Sequence, residues 1–279
     1  MNAIVKMLSG FVIALLFTLS GSAQNNRSDS LSAFFEFTKL GEVYKQLPVQ
    51  LDIHIHNSAN PLTTESDTLK ADLNLYYGKT NFYMRTEGLE EIVNDSLLII
   101  INNQTKQIML YPNNHLLKET MERPTYVFMP DSSAETLAKD YSSNLLDAGK
   151  NKKRVEIRSR QNLYGTNLPK EWFAVTYYQQ PYEPLEFSRT KTTLVVVDSS
   201  VYARFQKNTA YEGKLVKTTS EKGEFFFMVK ELTTTYNFKS IKYGLANPPV
   251  KEEDRVIKGS MGDYMPAKGF EDYVLTKEF

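Results

Sequence analysis

The stretch NDSLLIIINNQTKQIMLYP, residues 94–112, decides how this chain is read. Five consecutive aliphatic residues, Leu97 to Ile101, stand between two polar turn clusters, and Ile108, Met109, Leu110 and Tyr111 follow. Runs this short, bounded by Asn, Asp, Ser and Gln, are strands of a hairpin. Side chains of a strand alternate between faces. A run apolar at every position therefore raises the question of what covers its second face.

Working outward, the turn signals recur about every eight residues, at GKT (78–80), EGLE (87–90), NDS (94–96), NNQT (102–105) and PNN (112–114), the spacing of an antiparallel meander. Upstream, VQLDIHIHN alternates Val49, Leu51, Ile53 and Ile55 with Gln50, Asp52, His54 and His56, a strand with one wet face. Before it, residues 28–48 carry Phe37, Leu40, Tyr44 and Leu47 at helical spacing and end at Pro48, which predicts one helix. Downstream, residues 130–150 place Leu137, Tyr141, Leu145 and Ala148 on one helical face behind a Ser132/Glu135 capping box, with Gly149 as C-cap, which predicts a second helix. Strand patterns then resume, including TLVVV (193–197) and FFFMV (225–229), which read as core strands buried on both faces. FEDYVLTKEF reads as a last strand.

The first residues are not fold. MNAIVK is basic, MLSGFVIALLFTLS is a short apolar run, and Gly21 and Ala23 are the small residues of a cleavage site after Ala23. The expected organisation is a signal peptide over 1–23, a domain over 24–243 and a C-terminal extension over 244–279, with a periplasmic location for the mature chain. A single domain of this length suits an all-β architecture. Phe279 is the kind of terminal residue found on outer-membrane barrels, but the turns lie too close together for spanning strands of ~9–11 residues.

The 33 basic and 33 acidic residues cancel, which removes any electrostatic argument for a nucleic-acid partner. The absence of cysteine excludes disulfides, thiolate metal sites, a thiol nucleophile and a lipobox anchor. No nucleophile elbow, zincin helix or phosphate loop occurs, and no carboxylate pair stands out, so neither an enzyme nor a cofactor is expected. His54 and His56 form an H-x-H on a wet strand face, a weak candidate metal pair whose ordinary reading is surface histidine; the third histidine, His115, lies in a distant loop. Asn94-Asp95-Ser96 spells a glycan acceptor and reads better as a turn.

The segment LNLYYGKTNFYMRTEGLEEIVNDSLLIIINNQTKQIMLYPNN, with a helix and a wet-faced strand before it and a helix after it, resembles the LolA/LolB-like superfamily of periplasmic lipoprotein carriers. Phe82 matches the aromatic that leaves the first turn, and Lys106, Gln107 and Ile108 match the start of the last hairpin strand. The carriers place a basic residue and a proline at the first turn; Tyr77 and Gly78 stand there in this chain, so the family's functional arginine is not carried over. The resemblance implies a curved, unclosed antiparallel half-barrel, mainly β, with helices over its concave face around an apolar cavity for acyl chains. On that fold Leu73, Leu75 and Tyr77, then Phe82 and Met84, then Leu98 and Ile100 are the expected cavity lining. A charge at Tyr83, on the opposite face from Met84, is expected to spare the cavity. The expected function is non-enzymatic binding or carriage of a lipid or acylated polypeptide. The alternative is a structural or accessory protein of a cell-envelope assembly, with a filled core and a protein partner.

Overall fold

The computed structural model describes residues 31–41, 46–112, 133–221, 223–260 and 262–278. The signal-peptide segment, His115 and Phe279 lie outside them. No helix among the described residues is long and apolar enough to cross a membrane.

Helix α1 (residues 31–41) precedes strand β1 (Val49–Asn60). The meander follows as β2 (Lys70–Tyr77), β3 (Phe82–Arg85), β4 (Leu89–Val93), β5 (Leu97–Asn102) and β6 (Gln107–Pro112). Helix α2 (Ala134–Asp140) leads into β7 (Tyr141–Asp147), β8 (Lys152–Ser159), β9 (Glu171–Gln179) and β10 (Tyr182–Val197). Helix α3 (Ser199–Gln206), β11 (Leu215–Ser220) and the long β12 (Gly223–Tyr243) come next. The C-terminal segment carries a small hairpin, β13 (Val256–Lys258) with β14 (Tyr264–Pro266), and then β15 (Val274–Lys277).

The main sheet runs β15-β6-β5-β4-β3-β2-β1-β12-β10-β9-β8-β7, with β11 paired to the far end of β12. Every pairing is antiparallel except β15 with β6. The two ends of the order do not meet, so the sheet is an open one and not a closed barrel, as the sequence led us to expect. Its centre is β1 against β12, paired from Val49↔Tyr243 to Asn60↔Glu231. A bulge between Asp52 and Ile53 leaves Lys239 unmatched.

Because the pleat alternates, each row of paired residues belongs to one face. The inner face carries an unbroken row from β2 to β7: Ala71, Ile55, Tyr236, Phe187, Val175, Val155 and Leu145. Both α1 and α2 pack on this face, α1 through Ala33, Phe34, Phe37 and Leu40, α2 through Ala134 and Leu137. The ring of Phe37 lies 6.2 Å from that of Phe173. Glu36 of α1 accepts hydrogen bonds from the hydroxyls of Tyr177 (2.9 Å) and Tyr182 (2.6 Å), which fixes the helix over β9 and β10.

Two sequence readings are corrected. The helix expected over 130–150 is helical only over Ala134–Asp140; Tyr141–Asp147 is strand β7, paired to β8. Tyr141 and Leu145 are four apart, a spacing that shares one face in a strand as well as in a helix, and both contact the inner core. The runs TLVVV and FFFMV do not fill a core on both faces. They meet at the far end of the β10–β12 ladder, where Val196 is 69% exposed, and Phe225, just beyond it and paired to Thr218 of β11, is 38% exposed.

The outer face of the meander is also covered. Tyr76, Tyr83, Ile92, Leu97, Ile99, Ile101, Ile108 and Leu110 form a second core, closed by Val256 with Leu245, Val250, Tyr264, Phe270, Tyr273 and Leu275 from the C-terminal segment. An ion pair fastens this cover. Glu90, 2% exposed, receives Nε and Nη2 of Arg255, each at 2.8 Å, and the Tyr83 hydroxyl donates to it at 2.8 Å. Burial, then the bond to Glu90, pushes the Tyr83 phenol far above its usual range. The Arg255 guanidinium also stacks 4.8 Å from the Phe270 ring centroid.

The loop before β2 is tied to β12 in a similar way. Asp67, 1% exposed, is bound by Lys230 Nζ (2.6 Å) and by the backbone N–H groups of Thr63 (2.6 Å) and Thr64 (3.0 Å). The Lys230 ammonium, with those amides, holds its carboxyl well below the usual carboxylate range.

Two predictions follow from these ties. Arg255→Met leaves the buried Glu90 charge unpaired and should cost about 3–5 kcal/mol in denaturant unfolding; adding Glu90→Gln, which still accepts from Tyr83, should recover much of that loss. For Asp67 the folded carboxyl titrates below its unfolded value of about 3.9, so its stabilisation is present above that pH and is lost as pH falls toward the folded value. Thermal melts between pH 6 and 3 should therefore decline less for Asp67→Asn than for the native chain, from a lower starting point.

Candidate functional site

The register places all seven expected lining residues on the inner face. One row crosses from β1 as Val49, Tyr77, Phe82, Val93, Leu98 and Tyr111. The next runs Leu51, Leu75, Met84, Glu91, Ile100 and Met109. Leu73 pairs with Ile53 one step further along β2.

These residues differ in cover. Leu73 (8%) and Leu75 (2%) are buried members of the core that α1 closes. Tyr77, Phe82 and Met84 pack against that core and are half-buried. Burial pushes the Tyr77 phenol up to about 12, and its ring lies 5.0 Å from that of Phe82. Leu98 and Ile100, and Met109 and Tyr111 beyond them, are half-buried and belong to neither core cluster. The inner face thus passes from a filled centre at β1 and β2 to rows over β3 to β6 in which Val93 is buried and the other apolar side chains are partly exposed. Sequence reasoning missed Met109 and Tyr111; the hairpin register carries them into the same rows.

Within the second row stands one charge. Glu91 pairs with Met84 on one side and Ile100 on the other. It is half-buried, and burial raises its carboxyl above the ordinary value. Its neighbour Glu90 points to the outer face and is fully bonded by Arg255 and Tyr83. Tyr83 itself is 2% exposed beneath the C-terminal segment. A charge at Tyr83 would therefore enter a dry outer core, on the face opposite the inner rows.

The outer face of β1 holds the histidines. His54 Nδ1 lies 2.9 Å from Asp72 Oδ1, which also binds Lys239 Nζ at 2.7 Å. His56 Nδ1 lies 3.4 Å from Asn237 Nδ2. The two rings are 6.1 Å apart, and no group of three metal-ligating side chains occurs among the described residues. Beside them a cleft of roughly 770 Å³ of mixed polar and apolar lining is bordered by Gln50, Asp52, Asn74, Arg85, Lys239 and Val250. Asp52 is bonded there by Asn74 and Ser240. Asn94 closes its turn by accepting from the backbone N–H groups of Ser96 and Leu97, both at 2.8 Å.

No protein-family model and no curated protein matches the chain. Solved structures do align with it. One is a LolA superfamily protein from Nitrosomonas europaea, 9% identical, covering 78% of this chain and 95% of that one with a TM-score of 0.26. Another is a DUF1329 family protein from Desulfovibrio piger, 8% identical, covering 79% of this chain and 95% of that one with a TM-score of 0.29. A LolA superfamily structure is thus among the likenesses of this chain, while what the site can do rests on the rows of its own inner face.

Proposed function

We propose that the chain is a non-enzymatic binding or carrier protein, exported to the periplasm, that takes the acyl chains of a lipid or lipidated polypeptide on its inner face. The observation that carries this reading is the line of half-buried apolar side chains, Tyr77, Phe82, Met84, Leu98 and Ile100, that continues from a dry core without entering it fully. An aliphatic chain laid along those rows would remove further apolar surface from water, at ~0.8 kcal/mol per buried methylene. Met84 and Met109 suit such a ligand, because the unbranched thioether repacks readily.

A second reading has its own observation. At the far end of the β10–β12 ladder Val196 and Phe225 face solvent, and Tyr164 is 74% exposed. Exposed apolar groups of this kind suit a protein partner in an envelope assembly.

Two glutamate substitutions separate a ligand surface from dry core. Leu75→Glu buries a carboxylate in the closed core; it should unfold the chain, since several kcal/mol is comparable to a domain's ~5–15 kcal/mol. Met84→Glu keeps access to water, so it should stay folded with a modest loss of melting temperature while binding of a hydrophobic fluorescent probe falls sharply. A folded Met84→Glu protein that binds the probe normally would remove the ligand from this face. A Met84→Glu protein that unfolds like Leu75→Glu would favour the filled-core reading.

A further inference from the structure

The Glu91 side chain, unlike its backbone in the β4 ladder, makes no bond to another described residue. Among the described residues no hydrogen bond or ion pair reaches its carboxylate, whereas Glu90, one position earlier, is held by three bonds on the other face. Its neighbours across the ladder are Met84 and Ile100, with Leu75 and Met109 next beyond them in the same row. A half-buried carboxylate amid apolar side chains loses hydration without gaining a partner. Burial accordingly lifts its pKa, with no charge or hydrogen bond set against that shift.

We propose that Glu91 makes the inner face selective for amphiphiles whose hydrocarbon chain carries a protonated amine. This inference rests on the carrier reading and adds the ligand's polar chemistry to it. The hydrocarbon lies over Phe82, Met84, Leu98 and Ile100, and the ammonium meets the Glu91 carboxylate. The charge-assisted bond is stronger than a neutral one in such surroundings, because less water competes for either group. An anionic head of the same chain would meet a like charge instead. The full sequence has a formal net charge of zero, so bulk attraction contributes little to this preference.

The test uses full-length mature protein and two probes that differ only in their head, dodecylammonium and dodecanoate, each below its micelle concentration at neutral pH. Calorimetry or displacement of a fluorescent probe gives both affinities. The native chain should bind dodecylammonium about tenfold or more tightly than dodecanoate. In Glu91→Gln, nearly the same shape without the charge, that preference should vanish while dodecanoate binding is kept or improved. Glu91→Lys should reverse it and serves if the glutamine variant folds poorly. Equal binding of both probes by the native chain, or a preference that survives Glu91→Gln, would overturn the role of Glu91 and leave the carrier reading standing. Failure of both probes to bind a folded native chain would overturn both.

Discussion

The pairing of β1 with β12 is the contact on which the rest of the architecture depends. It joins two blocks that are each locally wound: the meander β2 to β6 on one side, and β7 to β10 on the other. Without it the inner row from Ala71 to Leu145 would be cut between Ile55 and Tyr236, and α1 would have no continuous floor. The alternation of Val49, Leu51, Ile53 and Ile55 serves this junction, since each of these residues lies between a partner on β2 and a partner on β12. A ladder of backbone hydrogen bonds fixes the strands, but the buried row sets the register, because a one-residue slip would turn every one of these side chains to the other face.

The same alternation accounts for the aliphatic run at the start of the meander's last hairpin. Leu97, Ile99 and Ile101 face outward and are buried under the C-terminal segment. Leu98 and Ile100 face inward and stay partly open. One run therefore serves two surfaces of different character, one sealed and one available. The sealing is specific: Arg255 and the aromatic rings of Tyr264, Phe270 and Tyr273 belong to it, and the parallel strand β15 continues it along the edge of β6.

Much of this was legible in the residues. The turn clusters located the meander strands closely, and the period-two pattern of β1 identified its buried side. The inner-face grouping of the seven lining residues also agrees with the observed register. What was not legible has physical causes. Tyr141 and Leu145 satisfy two periodicities at once, so strand β7 was read as helix. The valine and phenylalanine runs have core composition, yet composition does not say that they sit at a ladder's far end. Glu90 and Glu91 are equivalent as letters. Only the cover supplied by Arg255, far along the chain, separates a satisfied carboxylate from an unsatisfied one.

The separation in sequence between β1 and β12 also bears on how the chain matures. Local hairpins close quickly, while contacts between distant segments must first overcome loop-closure entropy. The meander can zip early, but its outward residues Ile99, Ile101 and Ile108 stay uncovered until the segment carrying Leu245 to Leu275 docks on them. Until then a sticky aliphatic stripe and an open β6 edge face the surroundings together. A chain with this topology is most exposed to misassociation before that segment docks, and any helper that shields it would act on the outer face of the meander, opposite the surface proposed for the ligand.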